Sequence, residues 1–248
     1  MSLIKRLIPG KLKTYAKFLI YDFLNIPYSK NGLPLSIINH LKDDKDIIFF
    51  DIGANVGYFS ESLNKTYHIK KAIIVEPIAL HTELLKSKFD DATIFKIYPI
   101  ALSEKDGFAD FYINEDFDSV SSLLEIEHNS TELQHLNISK PKKSTTVTRT
   151  LDSLAEENFK NEIIDLIKID VQGAEHLILI SGTETLKRTR LVYTEFSYKP
   201  LYKGSSTFYD LYDLMYKNDF ILVDVAKGYA NSDGELLQGD ALFINKNL

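Results

Sequence analysis

Residues 47–57 narrow the choice of fold more than any other part of the chain. They read Ile47-Ile48-Phe49-Phe50-Asp51-Ile52-Gly53-Ala54-Asn55-Val56-Gly57. Four consecutive apolar residues predict a short strand buried on both faces. Asp51 stands where that strand runs out, and the turn that follows carries Gly53 and Gly57. Tyr58-Phe59-Ser60-Glu61-Ser62-Leu63 then opens a helix. Glycines let a backbone approach a ligand, and a helix N-terminus offers unpaired N–H groups to it. The unit is therefore the first strand–turn–helix of a nucleotide-binding α/β domain. Its G-x-x-x-G spacing differs from the G-x-G-x-x-G turn of dinucleotide binders.

Three more buried strands repeat the pattern. Ala72–Val75 ends at Glu76-Pro77, Leu166–Val171 closes on Asp170, and Arg190–Phe196 contains Glu195. Thr93–Tyr98 supplies another strand, and Phe220–Val225 and Ala241–Ile244 are expected as the last two. Helices are expected at about 78–88, 174–187 and 207–217. Phe108–Ile113 reads as an extra strand, and Thr145–Thr150 as one returning to the sheet. Alternation of buried strands and helices predicts a doubly wound, mostly parallel sheet of about seven strands with helices on both faces. In such a sheet the ligand lies beyond the carboxyl ends of the strands, which is where Asp51, Glu76, Asp170 and Glu195 fall.

The chain of 248 residues suits one such domain, at 46–248, preceded by an arm and link at 1–45. Residues 114–144 are polar without a clear period, the profile of a functional lid or a disordered loop. The chain has no cysteine, which excludes disulfides and thiolate metal sites and fits a reducing, cytoplasmic compartment. No apolar run is long enough to span a bilayer. A net charge of −6 argues against a nucleic-acid partner. That charge is uneven: residues 1–21 hold five basic and no acidic residues, leaving 24 basic against 35 acidic in the remainder. Leu12, Tyr15, Ala16, Leu19, Ile20 and Phe23 recur at helical spacing. The arm is thus expected to be an amphipathic helix, either packed on the domain or touching an anionic membrane surface.

Four blocks in this order resemble the FkbM family of S-adenosylmethionine-dependent methyltransferases. They are Phe50–Ser60, Val75-Glu76-Pro77, Ala101–Gly107, and Thr150-Leu151-Asp152 with Asp165–Glu175; Ser121-Ser122-Leu123 also fits. The resemblance covers about residues 47–196. It implies the class I methyltransferase fold, with an antiparallel last strand, and an O-methyltransferase acting on a sugar, glycan or secondary-metabolite hydroxyl. S-adenosyl-L-methionine would be the cofactor and S-adenosyl-L-homocysteine the product. Glu76, with Pro77 beside it, would meet the ribose hydroxyls. Asp51, Gly53, Asn55 and Gly57 would shape the pocket for the amino-acid end, Ala101 and Leu102 would border the adenine, and Ser122 would lie near the cofactor. Asp170 would sit near the methionyl amine, the sulfonium or the acceptor. Gln172 stands where the family usually has Glu.

Methyl transfer from a sulfonium depends on in-line positioning, but an aliphatic hydroxyl must still lose its proton. Asp170, Glu175 and Glu195 are the candidate catalytic carboxylates, with Asp170 foremost and His176 behind them. His128 and His135 show no metal-ligand spacing, so no metal is expected. An NAD-type enzyme or a non-catalytic cofactor-binding module are the alternatives.

Overall fold

The computed structural model describes residues 28–29, 31–41, 46–114, 118–127, 141–231 and 233–248. The basic arm at 1–21, His128 and His135 lie outside the described residues. In chain order the elements are α1 (Leu35–His40), β1 (Ile47–Ile52), α2 (Tyr58–Thr66), β2 (Ile69–Val75), α3 (Ala79–Lys88), β3 (Phe95–Tyr98) and β4 (Ala101–Leu102). They continue with β5 (Gly107–Ile113), a single 3-10 turn (Asp118–Val120), β6 (Lys142–Arg149), α4 (Leu151–Phe159), β7 (Ile164–Ile169) and α5 (Glu175–Ile180). The remainder are α6 (Thr183–Leu186), β8 (Thr189–Ser197), α7 (Phe208–Lys217), β9 (Phe220–Lys227) and β10 (Gln238–Asn245).

The main sheet has seven strands in the order β3-β2-β1-β7-β8-β10-β9. Neighbours from β3 to β8 pair in parallel, and β10 is antiparallel to both β8 and β9. This is the class I methyltransferase arrangement. The strand order reverses between β1 and β7, so the crevice opens above their carboxyl ends.

Every residue of β1 and of β7 is buried. Alternate residues therefore feed two cores. Phe50, Ile52, Ile73 and Ile167 pack with Leu154 of α4, Ile178 of α5 and Leu211 of α7 on one face. Phe49, Ile74 and Leu166 pack with Ile37 of α1, Leu63 of α2 and Leu85 of α3 on the other. Full burial of each such side chain stabilises the fold by about 1.5–3 kcal/mol relative to exposure.

Two expectations are corrected by the structure. Thr145–Thr150 does not return to the main sheet: β6 pairs with β4 and β5 in a separate three-stranded sheet. The residues of β6 are mostly exposed or half-buried, so this strand lacks the two covered faces that the central strands have. The expected single helix over 174–187 is two, α5 and α6. After the break, Asp152 of α4 caps the start of α6, accepting from Thr185 N at 2.7 Å and Glu184 N at 3.2 Å. Of the polar stretch at 114–144, the structure describes 114, 118–127 and 141–144. Its described part is tied down by bridges from Ser122 to Tyr112 and from Ile126 to Tyr202, and β6 starts at Lys142.

Candidate active site

Above the β1–β7 switch point lies a cavity of about 1180 Å³. The β1–α2 turn forms its floor. Gly53 has φ +71°, and a Cβ there would stand 1.9 Å from the Asp170 carbonyl oxygen. The turn can therefore lie against the end of β7 only with glycine at this position. Gly57, at φ +82°, is pressed on the other side by Leu85 of α3. Between them the chain bends through Asn55, whose Oδ1 accepts from Val56 N at 2.7 Å.

Glu76, just past β2, turns its carboxylate onto this turn. Oε2 accepts from Asn55 N at 2.8 Å and Oε1 from Ile78 N at 2.9 Å. Each carboxylate oxygen has two acceptor sites, so each has capacity beyond its backbone hydrogen bond. His81 of α3 is buried, with Nδ1 3.7 Å from Glu76 Oε1 and Nε2 2.8 Å from Asp118 Oδ2. The Glu76 and Asp118 carboxylates hold the His81 pKa above its ordinary value, against the opposing effect of burial.

A buried cation sits beneath the switch point. In the parallel register Asp51 of β1 lies beside Lys168 of β7. Lys168 Nζ donates to the Gly53 carbonyl at 2.7 Å and stands 3.2 Å from Asp51 Oδ1 and 3.7 Å from Asp170 Oδ2. Burial opposes the charge of Lys168, but Asp51 and Asp170 outweigh it and hold the pKa above the usual lysine value. Asp51 Oδ2 accepts from Ser60 Oγ at 2.6 Å, while Oδ1 has no aligned donor.

The loop after β7 gathers the acidic groups. Gln172, at φ +59°, donates from Nε2 to Asp170 Oδ1 at 2.8 Å and to Glu195 Oε2 at 3.1 Å. Its Oε1 accepts from the Tyr202 hydroxyl at 3.2 Å. Glu175 Oε1 accepts from Val171 N at 3.0 Å and Gly173 N at 3.1 Å, closing the turn at the start of α5. Burial pushes the Glu175 carboxyl up to about 7 and raises that of Glu195 well above the carboxylate range, with Asp170 adding to both.

Of the residues singled out in the sequence, Gly53, Asn55, Glu76, Pro77, Ala101, Leu102 and Asp170 line the cavity. Asp51, Gly57, Ser122, Glu175 and Glu195 stand behind its wall. Ser122 donates from Oγ to the Gln172 carbonyl at 2.8 Å, so it anchors the loop after β7. His176 is set away from the cavity; burial lowers its pKa, and the Asp210 carboxylate partly opposes that shift. Sequence reasoning passed over His81, Lys168, Tyr193 and Asp240. Lys168 alone carried a signal, as a cation inside an otherwise apolar strand. Among the described residues no group of three or more His, Asp or Glu is disposed to hold a metal ion, and no helix is long and apolar enough to cross a membrane.

The sequence profile of the family described as "Methyltransferase FkbM domain" matches residues 51–222. A 2-O-methyltransferase, NoeI of Sinorhizobium fredii, is 28% identical over 181 residues, covering 71% of this chain and 73% of that protein. The fold is similar to that of magnesium protoporphyrin IX methyltransferase (ChlM) from Synechocystis, solved with bound SAM. The TM-score is 0.50 at 7% identity, over 96% of this chain and 85% of that one. A crystal structure of methyltransferase FkbM from Methylobacillus flagellatus aligns with a TM-score of 0.49 at 15% identity, over 98% of this chain and 57% of that one. The profile match spans most of the chain and falls on the strands and turns that build the cavity, so this chain belongs to the FkbM family of S-adenosylmethionine-dependent methyltransferases.

Proposed function

We propose that the chain moves a methyl group from S-adenosylmethionine to a hydroxyl oxygen of a sugar, glycan or secondary-metabolite alcohol. The observation that carries this reading is the Glu76 carboxylate at the cavity wall, fixed by two backbone N–H groups and keeping acceptor capacity on each oxygen. A vicinal diol, such as a ribose, matches that pair of acceptors. Ile100, Leu102 and Phe111 supply an apolar slot beside it for a flat base. Asp170, on the cavity wall, gives the amino-acid end of the cofactor an acidic partner, and Asp51 behind it holds Lys168. The residues present therefore fit the group.

The cofactor supplies an electrophilic methyl on a sulfonium. The chain's own part is to hold both reactants in line and to receive the hydroxyl proton. NoeI is named a 2-O-methyltransferase, which supports oxygen as the acceptor atom. The G-x-x-x-G turn, in place of G-x-G-x-x-G, favours this cofactor over NAD.

Calorimetry tests the reading. Glu76→Ala is expected to weaken S-adenosylmethionine binding by about 1.5–3 kcal/mol, through loss of charge-assisted hydrogen bonds. Unchanged affinity would remove Glu76 from the cofactor site and with it the basis of the proposal.

A further inference from the structure

The cavity is larger than its cofactor-facing wall requires. A second set of lining residues comes from elsewhere: Tyr28 in the link before α1, Tyr58 and Phe59 at the start of α2, Tyr193 on β8 and Asp240 on β10. The Phe59 and Tyr193 rings stack at 6.2 Å with planes 10° apart. Tyr58 is 74% exposed, with Lys88 Nζ 5.2 Å from its ring centre. Aromatic faces flanked by a few polar groups are the chemistry that receives a pyranose ring, whose C–H faces stack while its hydroxyls hydrogen-bond.

Five carboxylates of the described residues line the cavity, and four are committed. Glu61 pairs with Lys65, and Lys88 Nζ stands 3.7 Å away. Glu76 takes two backbone N–H groups, and Asp118 takes His81. Asp170 holds the Gln172 amide and faces Lys168. Asp240 differs. It sits opposite Glu195 in the β8–β10 register, and from β9 its neighbour is Ala226. Among the described residues its near partner is a phenol, the Tyr193 hydroxyl, which also interacts with Tyr28.

Resting on the methyltransferase reading above, we propose that Asp240 is the general base for the acceptor hydroxyl, in a pyranose subsite walled by Tyr28, Tyr58, Phe59 and Tyr193. The hydroxyl proton passes to an Asp240 carboxylate oxygen. As it does, the hydroxyl oxygen's lone pair forms the O–CH3 bond, the S–CH3 bond breaks, and its electron pair stays on sulfur as a neutral thioether. The proton later leaves to solvent. The Tyr193 hydroxyl, hydrogen-bonded to the carboxylate, orients it.

The charges around Asp240 suit the role. Burial first, and then the Asp170 carboxylate, push its carboxyl up to about 6, while the Tyr193 hydroxyl and Lys168 oppose this. Across the register, the Asp240 charge in turn helps raise the Glu195 carboxyl. Above that pH Asp240 is ionised and can accept a proton; below it the base is lost.

The test uses the full chain with S-adenosylhomocysteine and a panel of methyl gluco-, manno-, galacto- and fucopyranosides. Saturation-transfer NMR reads sugar binding on the S-adenosylhomocysteine-loaded chain, calorimetry reads S-adenosylhomocysteine affinity, and labelled S-adenosylmethionine reads transfer. At least one pyranoside is expected to bind and be methylated, with a rate that rises through about pH 6. Asp240→Asn is expected to lower that rate by roughly 10²–10⁴ and abolish the rise, with the sugar still bound and S-adenosylhomocysteine affinity within about twofold. Tyr58→Ala, at an exposed position, is expected to weaken sugar binding several-fold. A transfer rate in Asp240→Asn within threefold of the wild type overturns the base assignment. Sugar binding unaffected by Tyr58→Ala, or no pyranoside bound or methylated, overturns the subsite. If S-adenosylhomocysteine itself fails to bind, the methyltransferase reading falls, and this inference falls with it.

Discussion

An amide at position 172 accomplishes what a carboxylate there would undo. Gln172 donates to both Asp170 and Glu195 and accepts from Tyr202, so one side chain bridges two acids and a phenol. Gln172→Glu would lose both donated hydrogen bonds and add a like charge between two carboxylates. It is expected to cost about 1–3 kcal/mol at pH 8 and less at pH 5.5, where the new group can keep a proton. Urea unfolding at the two pH values is the check, and equal losses at both would refute the bridging role. Glu175 makes a second pH prediction. Its folded-state pKa is raised to about 7 by burial, so the folded chain binds a proton more tightly than the unfolded one. Relative to Glu175→Gln, wild-type stability should fall as pH rises from about 4.3 to about 7 and level off beyond. A flat difference across that range would show that Glu175 does not titrate there. At this scale the sequence was legible in position, since Gly53, Glu76 and Asp170, each at a strand end or the turn beside it, all line the cavity. It was silent on Asp240, which stands one residue before the strand expected at 241–244 and becomes a neighbour of Glu195 only through antiparallel pairing.

Elements were read well where they are buried on both sides. The apolar runs at Ile47–Ile52 and Ile164–Ile169 admit little besides a central strand, and their ends were misjudged by only a residue or two. Half-covered strands were harder: the alternation in β6 indicates a strand but not which sheet it joins. The helix break at 181–182 was hidden in the sequence, and the cap on α6 that follows it comes from thirty residues away, in Asp152. That residue belongs to a block shared with the family, and here it caps α6 with its carboxylate and accepts from the Thr185 hydroxyl. Asp152→Ala is expected to cost about 1–2 kcal/mol of stability, as lost helix caps do, with cofactor affinity unchanged. Chemical denaturation beside calorimetry separates the two effects, and a loss of affinity alone would make Asp152 part of the site.

On the scale of the whole molecule, the cavity binds together pieces that are remote in sequence, from Tyr28 to Asp240. A ligand that bridges them should stabilise the chain globally. At one hundred times its dissociation constant, S-adenosylhomocysteine contributes about 2.7 kcal/mol, which for a chain of this size raises Tm by about 5–10 °C. NAD at the same concentration should leave Tm in place; an equal shift with NAD would favour the dinucleotide alternative. The sheet order also bears on how the molecule is made. β9 touches the rest of the sheet through β10, which follows it in the chain and inserts between it and β8. During synthesis, then, β9 must wait outside the sheet for β10 to emerge. Domains fold as units while the chain grows from its N-terminus. A nascent chain halted before residue 238 would carry the cofactor-facing wall with β9 outside the sheet, its backbone edges open to chaperones or to other nascent chains.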